Sequence, residues 1–167
     1  PEAAKFLAKR LVAGMENANP EDTVHWTMPD NSYFYMLENG KKLHELPFTC
    51  DDGTIVYPSE SNYKSTVYFN FLNRVVKEAN RLRPNTYLQV FAYIYTEPAP
   101  KIQIDEHLIV KVAPITTNER YSYESEKGGN ATIKKNIEAW SKKTKNLQLY
   151  TYWTCFTSTR YTRPILR

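Results

Sequence analysis

Residues 87–100, from Tyr87 to Pro100, read Y-L-Q-V-F-A-Y-I-Y-T-E-P-A-P. The first nine of them are rich in aromatic and β-branched types, which suit a pleated, buried surface. Leu88, Val90, Ala92 and Ile94 fall on one face, and Tyr87, Phe91, Tyr93 and Tyr95 on the other. Both faces are largely apolar, the pattern of a parallel strand covered on both sides. Thr96-Glu97-Pro98-Ala99-Pro100 then stops the strand, because proline has no N–H to give a ladder. Polar groups therefore gather at the carboxyl end of a buried strand, where α/β folds build their sites.

Working outward, Thr66–Arg83 predicts an amphipathic helix just before this strand. Val67, Phe71, Leu72, Val75, Val76, Ala79 and Leu82 make one wide apolar stripe, with Ser65 or Thr66 as cap. On the other side, Glu97–Glu106 has no helical pattern, and His107–Pro114 reads as a second buried strand. About ten residues at roughly 3.3 Å each reach roughly 33 Å, enough to retrace the strand. An extended, proline-stiffened crossover between two parallel strands is therefore allowed. Further out, Glu2–Asn17 predicts a helix and Thr23–Met28 a short strand. Ser32–Lys64 is a long loop, packed by its own aromatics, with turn signals at Asn39-Gly40 and Asp51-Asp52-Gly53. Ala131–Lys145 predicts a helix capped by Asn130, and Leu147–Phe156 a fourth strand.

This alternation of strands and helices predicts an α/β fold with a parallel sheet. No glycine-rich phosphate loop follows any strand, which argues against a nucleotide fold. The remaining common solution is a TIM-type (β/α)8 barrel, which takes ~250 residues when complete. Four strands in 167 residues predict a single domain forming about half of one. Such a half leaves open edges and an interior face, so it needs the remainder of its own barrel or another chain. The chain begins at Pro1 inside a helical pattern, which suggests a piece of a longer protein.

Composition narrows the function classes. A net charge of +4 is spread over predicted helices and balanced by 18 acids, which argues against a nucleic-acid surface. No stretch predicts a signal peptide or a membrane span within this segment. Cys50 and Cys155 lie far apart and match no metal spacing, so no cofactor or metal is expected, and two separate thiols are the simpler expectation.

Three pieces carry a family resemblance: Phe71-Leu72-Asn73-Arg74-Val75-Val76, Phe91-Ala92-Tyr93-Ile94-Tyr95-Thr96-Glu97-Pro98-Ala99-Pro100, and Ala139-Trp140-Ser141-Lys142. In this order and spacing they resemble the domain-of-unknown-function family numbered 4838. The resemblance runs from about Ala3 to about Phe156, and Ala-Tyr-x-Tyr-Thr-x-x-x-Pro is its specific part. It implies a likeness to glycoside hydrolase family 163, endo-β-N-acetylglucosaminidases, and hence a bacterial catalytic barrel acting on glycans. It also implies export, to the periplasm or cell surface. Pro29-Asp30-Asn31 fits the family pattern after the first strand, but the closely spaced cysteines expected next are missing. Thr151 stands where the family tends to carry an aspartate, in Tyr150-Thr151-Tyr152. That substitution bears on catalysis more than on fold.

Glycoside cleavage needs an acid to protonate the leaving oxygen and a second group to stabilise an oxocarbenium-like state. An N-acetyl group on the sugar can itself be the nucleophile, oriented by an Asp or Tyr. At strand carboxyl ends the candidates are Asp30 and Glu97 as catalytic groups, with Asn31, Tyr93, Tyr95, Tyr152 and Trp153 as substrate contacts. Each has a plainer role beside it. Asp30-Asn31 also suits a turn, Glu97 a solvated loop, and the aromatics core packing. His25 suits a core histidine, and His44 and His107 look peripheral. Two hypotheses follow: a glycoside hydrolase segment acting on N-acetylhexosamine-containing or related glycans, and a non-catalytic carbohydrate-binding or structural domain on a degenerate barrel.

Overall fold

The computed structural model describes residues 2–15, 23–26, 45–118 and 120–151. In chain order the elements are α1 (Glu2–Ala13), β1 (Thr23–Trp26), β2 (Phe48–Thr49), β3 (Ile55–Val56), α2 (Tyr63–Leu82), β4 (Tyr87–Ala92), β5 (Leu108–Val112), α3 (Asn130–Ser141) and β6 (Leu147–Leu149). Strands β1, β4, β5 and β6 form one sheet in that order, and every neighbouring pair is parallel. β2 and β3 form a separate antiparallel hairpin. The fold is therefore mixed α/β on a four-stranded parallel sheet.

Register sorts the strand side chains into two faces. Val24 lies beside Leu88 and Leu108, and Trp26 beside Val90, Val110 and Leu147. These residues, with Ala92 and Val112, pack against Ala4 and Ala8 of α1, Phe69, Leu72, Val75, Val76 and Ala79 of α2, and Trp140 of α3. All three helices thus cover the same face of the sheet. Successive strand residues point oppositely, so the other face carries His25, Tyr87, Gln89, Phe91, Ile109, Lys111 and Gln148. That face is not the apolar one expected from Tyr87–Tyr95. It mixes polar and aromatic residues, from exposed His25 and Gln148 to buried Gln89, and the described helices pack on the opposite side.

β4 is also shorter than its composition predicts. It ends at Ala92, and Ile94–Thr96 forms a single 3₁₀ turn. Ile94 has φ of 51°, the left-handed region where a β-branched residue is strained. Thr96, fully buried, fixes the turn: its hydroxyl accepts from the Tyr93 N–H at 3.0 Å and donates to the Tyr93 carbonyl at 3.0 Å.

An extended arm, residues 97–107, then returns the chain to the start of β5. It takes the place of a crossover helix in the layer over the sheet. Ala99, Ile102 and Ile104 enter the main core. An arm without its own ladder must find partners for its backbone groups, and here side chains supply them. Asn73 of α2 donates to the Gln103 carbonyl at 2.9 Å and accepts from the Asp105 N–H at 3.0 Å. Thr66 accepts from the Lys101 N–H at 3.0 Å, and Asn62 donates to the Ala99 carbonyl at 3.2 Å. From α3 and the turn after it, Trp140 Nε1 donates to the Glu97 carbonyl at 2.8 Å and Lys143 Nζ to the Lys101 carbonyl at 2.7 Å.

α2 starts three residues before its predicted start at Thr66, at Tyr63. Tertiary contacts extend it. Tyr63 packs with Val56, Val67 and Phe48, and its hydroxyl donates to the Leu46 carbonyl at 2.6 Å. Neither Ser65 nor Thr66 caps the helix; both lie inside it and bond to the returning chain or to the preceding turn. Asn130 likewise is no cap. It is the first residue of α3, fully buried, and ties the preceding loop by bonds to Asn118, Tyr121 and Ser122. The Asp51-Asp52-Gly53 turn forms as expected between β2 and β3, with Gly53 at φ of 84°. Arg74 grips Asp51 there through Nε and Nη2, joining the hairpin to α2.

Removing the Asn73 side chain leaves one N–H and one carbonyl of the arm without their partners. Asn73→Ala is expected to cost about 1–2 kcal/mol in urea unfolding, with the slope of the transition unchanged. Asn73→Asp, which keeps only the acceptor, should recover part of that loss.

Candidate functional site

The second face of the sheet is the one that none of the described helices covers. Gln89, at the centre of β4, is only 7 % exposed. Its Nε2 donates to Gln148 Oε1 at 2.8 Å, and its own Oε1 has no hydrogen-bond partner among the described residues. His25 sits beside it in register and is exposed. One row toward the carboxyl end, Phe91, Lys111 and Gln148 lie side by side. Lys111 Nζ stands 5.9 Å from the Phe91 ring centroid, within cation–π range. Tyr150 closes the row, edge-on to Phe91 at 5.3 Å and half exposed. Toward the amino end, Tyr87 lies against His107 at 5.2 Å, and His107 Nδ1 meets Asp105 Oδ1 at 3.0 Å. The strand residues of this face include no aspartate or glutamate.

At the carboxyl edge, Tyr93 keeps extended backbone (φ −150°, ψ 146°) and so continues the alternation on the Phe91 side. The Ile94 turn then breaks that alternation. Tyr95 comes to the α2 side instead, with Lys64 Nζ 5.8 Å from its ring centroid. Glu97 is half-buried, and its carboxylate accepts from Asn136 of α3 at 3.2 Å. It therefore faces the helical layer. Thr151 follows directly on β6 and its flanking Tyr150.

A groove of about 550 Å³ lies at the opposite pole, between the start of β4 and the turn after α3, lined by Tyr87, Gln103, Glu106, Lys142 and Asn146 among others. Its polar groups are partly engaged in joining elements: Asn146 Nδ2 donates to the Glu106 carbonyl. In parallel-sheet folds this pole serves stability. Among the described residues no three His, Cys, Asp or Glu side chains come together as a metal site. No described helix is long and apolar enough to cross a membrane.

Compared with known families, residues 23–167 match the model described as Domain of unknown function (DUF4838). The chain belongs to this family. No curated protein and no solved structure matches it. Within this DUF4838 chain, the pieces that carried the resemblance do identifiable mechanical work. Asn73 fastens the arm, Arg74 the hairpin, Thr96 the 3₁₀ turn, and fully buried Trp140 joins Phe69 to the Glu97 backbone.

Of the predicted site residues, Asp30, Asn31, Tyr152 and Trp153 lie outside the described residues. β1 and β4 are parallel, so residues that follow them leave the sheet at the same edge. Tyr93 is on the second face, while Tyr95 and Glu97 turn toward α2 and α3. Gln89, Lys111 and Gln148 were missed. Each is the polar residue of an otherwise apolar strand segment, and aligning the strands by their apolar residues brings these positions to one face.

Cys50 is buried at the foot of the hairpin, and its thiol is pushed up to about 11 by burial and by the nearby Asp52 and Asp51 carboxylates. A thiol so placed is a poor nucleophile at neutral pH. In the native protein at pH 8, Cys50 should react with a disulfide reagent at least about 100-fold more slowly than in urea. Comparison of wild type with Cys50→Ser, in a Cys155→Ser background, isolates that rate.

Proposed function

We infer that this domain is part of a (β/α)-barrel glycoside hydrolase, about half of the barrel wall, acting on N-acetylhexosamine-containing or related glycans. One observation carries it: parallel strands in sequential order, with the three described α-helices and the arm on one face and a polar, aromatic-bearing face opposite. A barrel wall has this arrangement, its outer face under helices and its inner face toward the substrate at the carboxyl edge. Under this reading Tyr93, at the carboxyl edge, is a substrate contact, and Asp30 and Asn31 keep the roles expected of them from the sequence. The remainder of the barrel supplies further groups. Membership of the family is consistent with this, and the likeness to glycoside hydrolase family 163 and export to the periplasm or cell surface belong to the same proposal.

The position of Glu97 favours a second reading. A carboxylate hydrogen-bonded to Asn136 on the helical side is an anchor for the arm, and Thr151 cannot act as an acid. A non-catalytic glycan-binding wall on a degenerate barrel accounts for both.

Turnover of N-glycan and chitobiose-type substrates by the full-length protein containing this domain separates the two. Under the hydrolase reading Asp30→Asn lowers kcat by about 100-fold or more. Glu97→Gln separates acid from anchor: the same loss in kcat marks an acid, and unaltered kcat with a lower Tm marks an anchor. Binding without turnover in the wild type selects the second reading, and neither binding nor turnover ends both.

A further inference from the structure

The second face has an electrostatic character of its own. Lys111 is half-buried, stacked on Phe91, and has no ion-pair partner among the described residues. A cation drawn partly out of water favours a nearby anion. The other described strand residues of the face offer none: its polar side chains are Thr23, His25, Tyr87, Gln89 and Gln148, flanked by His107, Tyr93 and Tyr150. Gln89 adds an independent pointer to a ligand. It is more than nine-tenths buried, yet its Oε1 acceptor has no partner among the described residues. Leaving a buried acceptor unpaired is costly unless something supplies a donor. Together the face presents a buried, unpartnered acceptor and a half-buried cation one row nearer the carboxyl edge.

We propose that Lys111, with Gln89 and Gln148, recognises an anionic substituent on the glycan, a carboxylate or a sulfate, so that the substrates of this site are acidic glycans. Lys111 pairs with the oxyanion, and the Phe91 ring holds the ammonium stem in place. Gln89 Oε1 accepts a hydrogen bond from a hydroxyl or N–H of the sugar that bears the anion. The half-exposed Tyr150 ring, edge-on to Phe91, borders the pair and suits the apolar face of a pyranose. The inference rests on the glycan reading above and specifies its substrate.

The test is calorimetric titration of the full-length protein with three matched oligosaccharides: a neutral one, its uronic-acid counterpart and its sulfate ester. In wild type at low salt one or both acidic ligands should bind about 10–100-fold more tightly than the neutral one, the size expected for a charge-assisted hydrogen bond. The arm with the larger gain identifies carboxylate or sulfate. Lys111→Met keeps the stem packed on Phe91 and should abolish that preference with neutral binding unchanged, while Lys111→Arg should keep most of it. Gln89→Met removes the orphan acceptor, so Tm should hold or rise while binding of all three ligands weakens. Equal binding of neutral and acidic ligands by wild type overturns the proposal and leaves the glycan reading standing. So does an equal loss for all three in Lys111→Met. Failure of every oligosaccharide to bind overturns both.

Discussion

The backbone of residues 97–107 is the constraint on which the structure depends. Two adjacent parallel strands, β4 and β5, are joined without a helix, and the connecting chain must still be satisfied while it crosses an apolar layer. Helix side chains meet that requirement. Thr66 and Asn73 bond to the arm from α2, Asn62 from the position just before that helix, and Trp140 and Lys143 from the other side. The arm in turn fixes the spacing of α2 and α3, because Ala99, Ile102 and Ile104 fill the core between them. Removing these bonds would loosen the helical layer that packs on β5.

Fastening the helical layer this way determines what the opposite face of the sheet is free to do. With α1, α2, α3 and the arm on one side, the sheet has its core without using Gln89, Phe91, Lys111 or Gln148. Those residues keep polar groups where a core would exclude them. The same arrangement uses up Glu97: its backbone carbonyl goes to Trp140 and its carboxylate to Asn136, so the arm begins with an anchor. The strained turn at Ile94 divides the two tasks, with Tyr93 on the Phe91 side and Tyr95 against Lys64 on the helical side.

Much of this was legible in the residues. The parallel order followed from alternation of strand and helix patterns, and the extended crossover from the absence of any helical period in 97–106. The apolar stripe of α2 and the Asp-Gly turn were plain. Other features depended on contacts distant in sequence. Tyr63 joins α2 because Val56 and Phe48 wait for it, and Asn130 ties a loop because the turn at Gly128-Gly129 aims it backward. Strand alternation through Tyr95 failed at a left-handed isoleucine, a conformation that no propensity assigns. The polar second face of the sheet was hidden because single polar residues in apolar strands read locally as edge or solvent positions.

The most direct test of this account is residue-resolved amide hydrogen exchange in the unmodified protein at Lys101 and Asp105, whose N–H groups donate to Thr66 and Asn73 side chains. A fastened arm predicts protection within about an order of magnitude of that at Val90 and Val110 in the sheet. Exchange at Lys101 and Asp105 at the rate of an unstructured peptide, with Val90 and Val110 still protected, would contradict it.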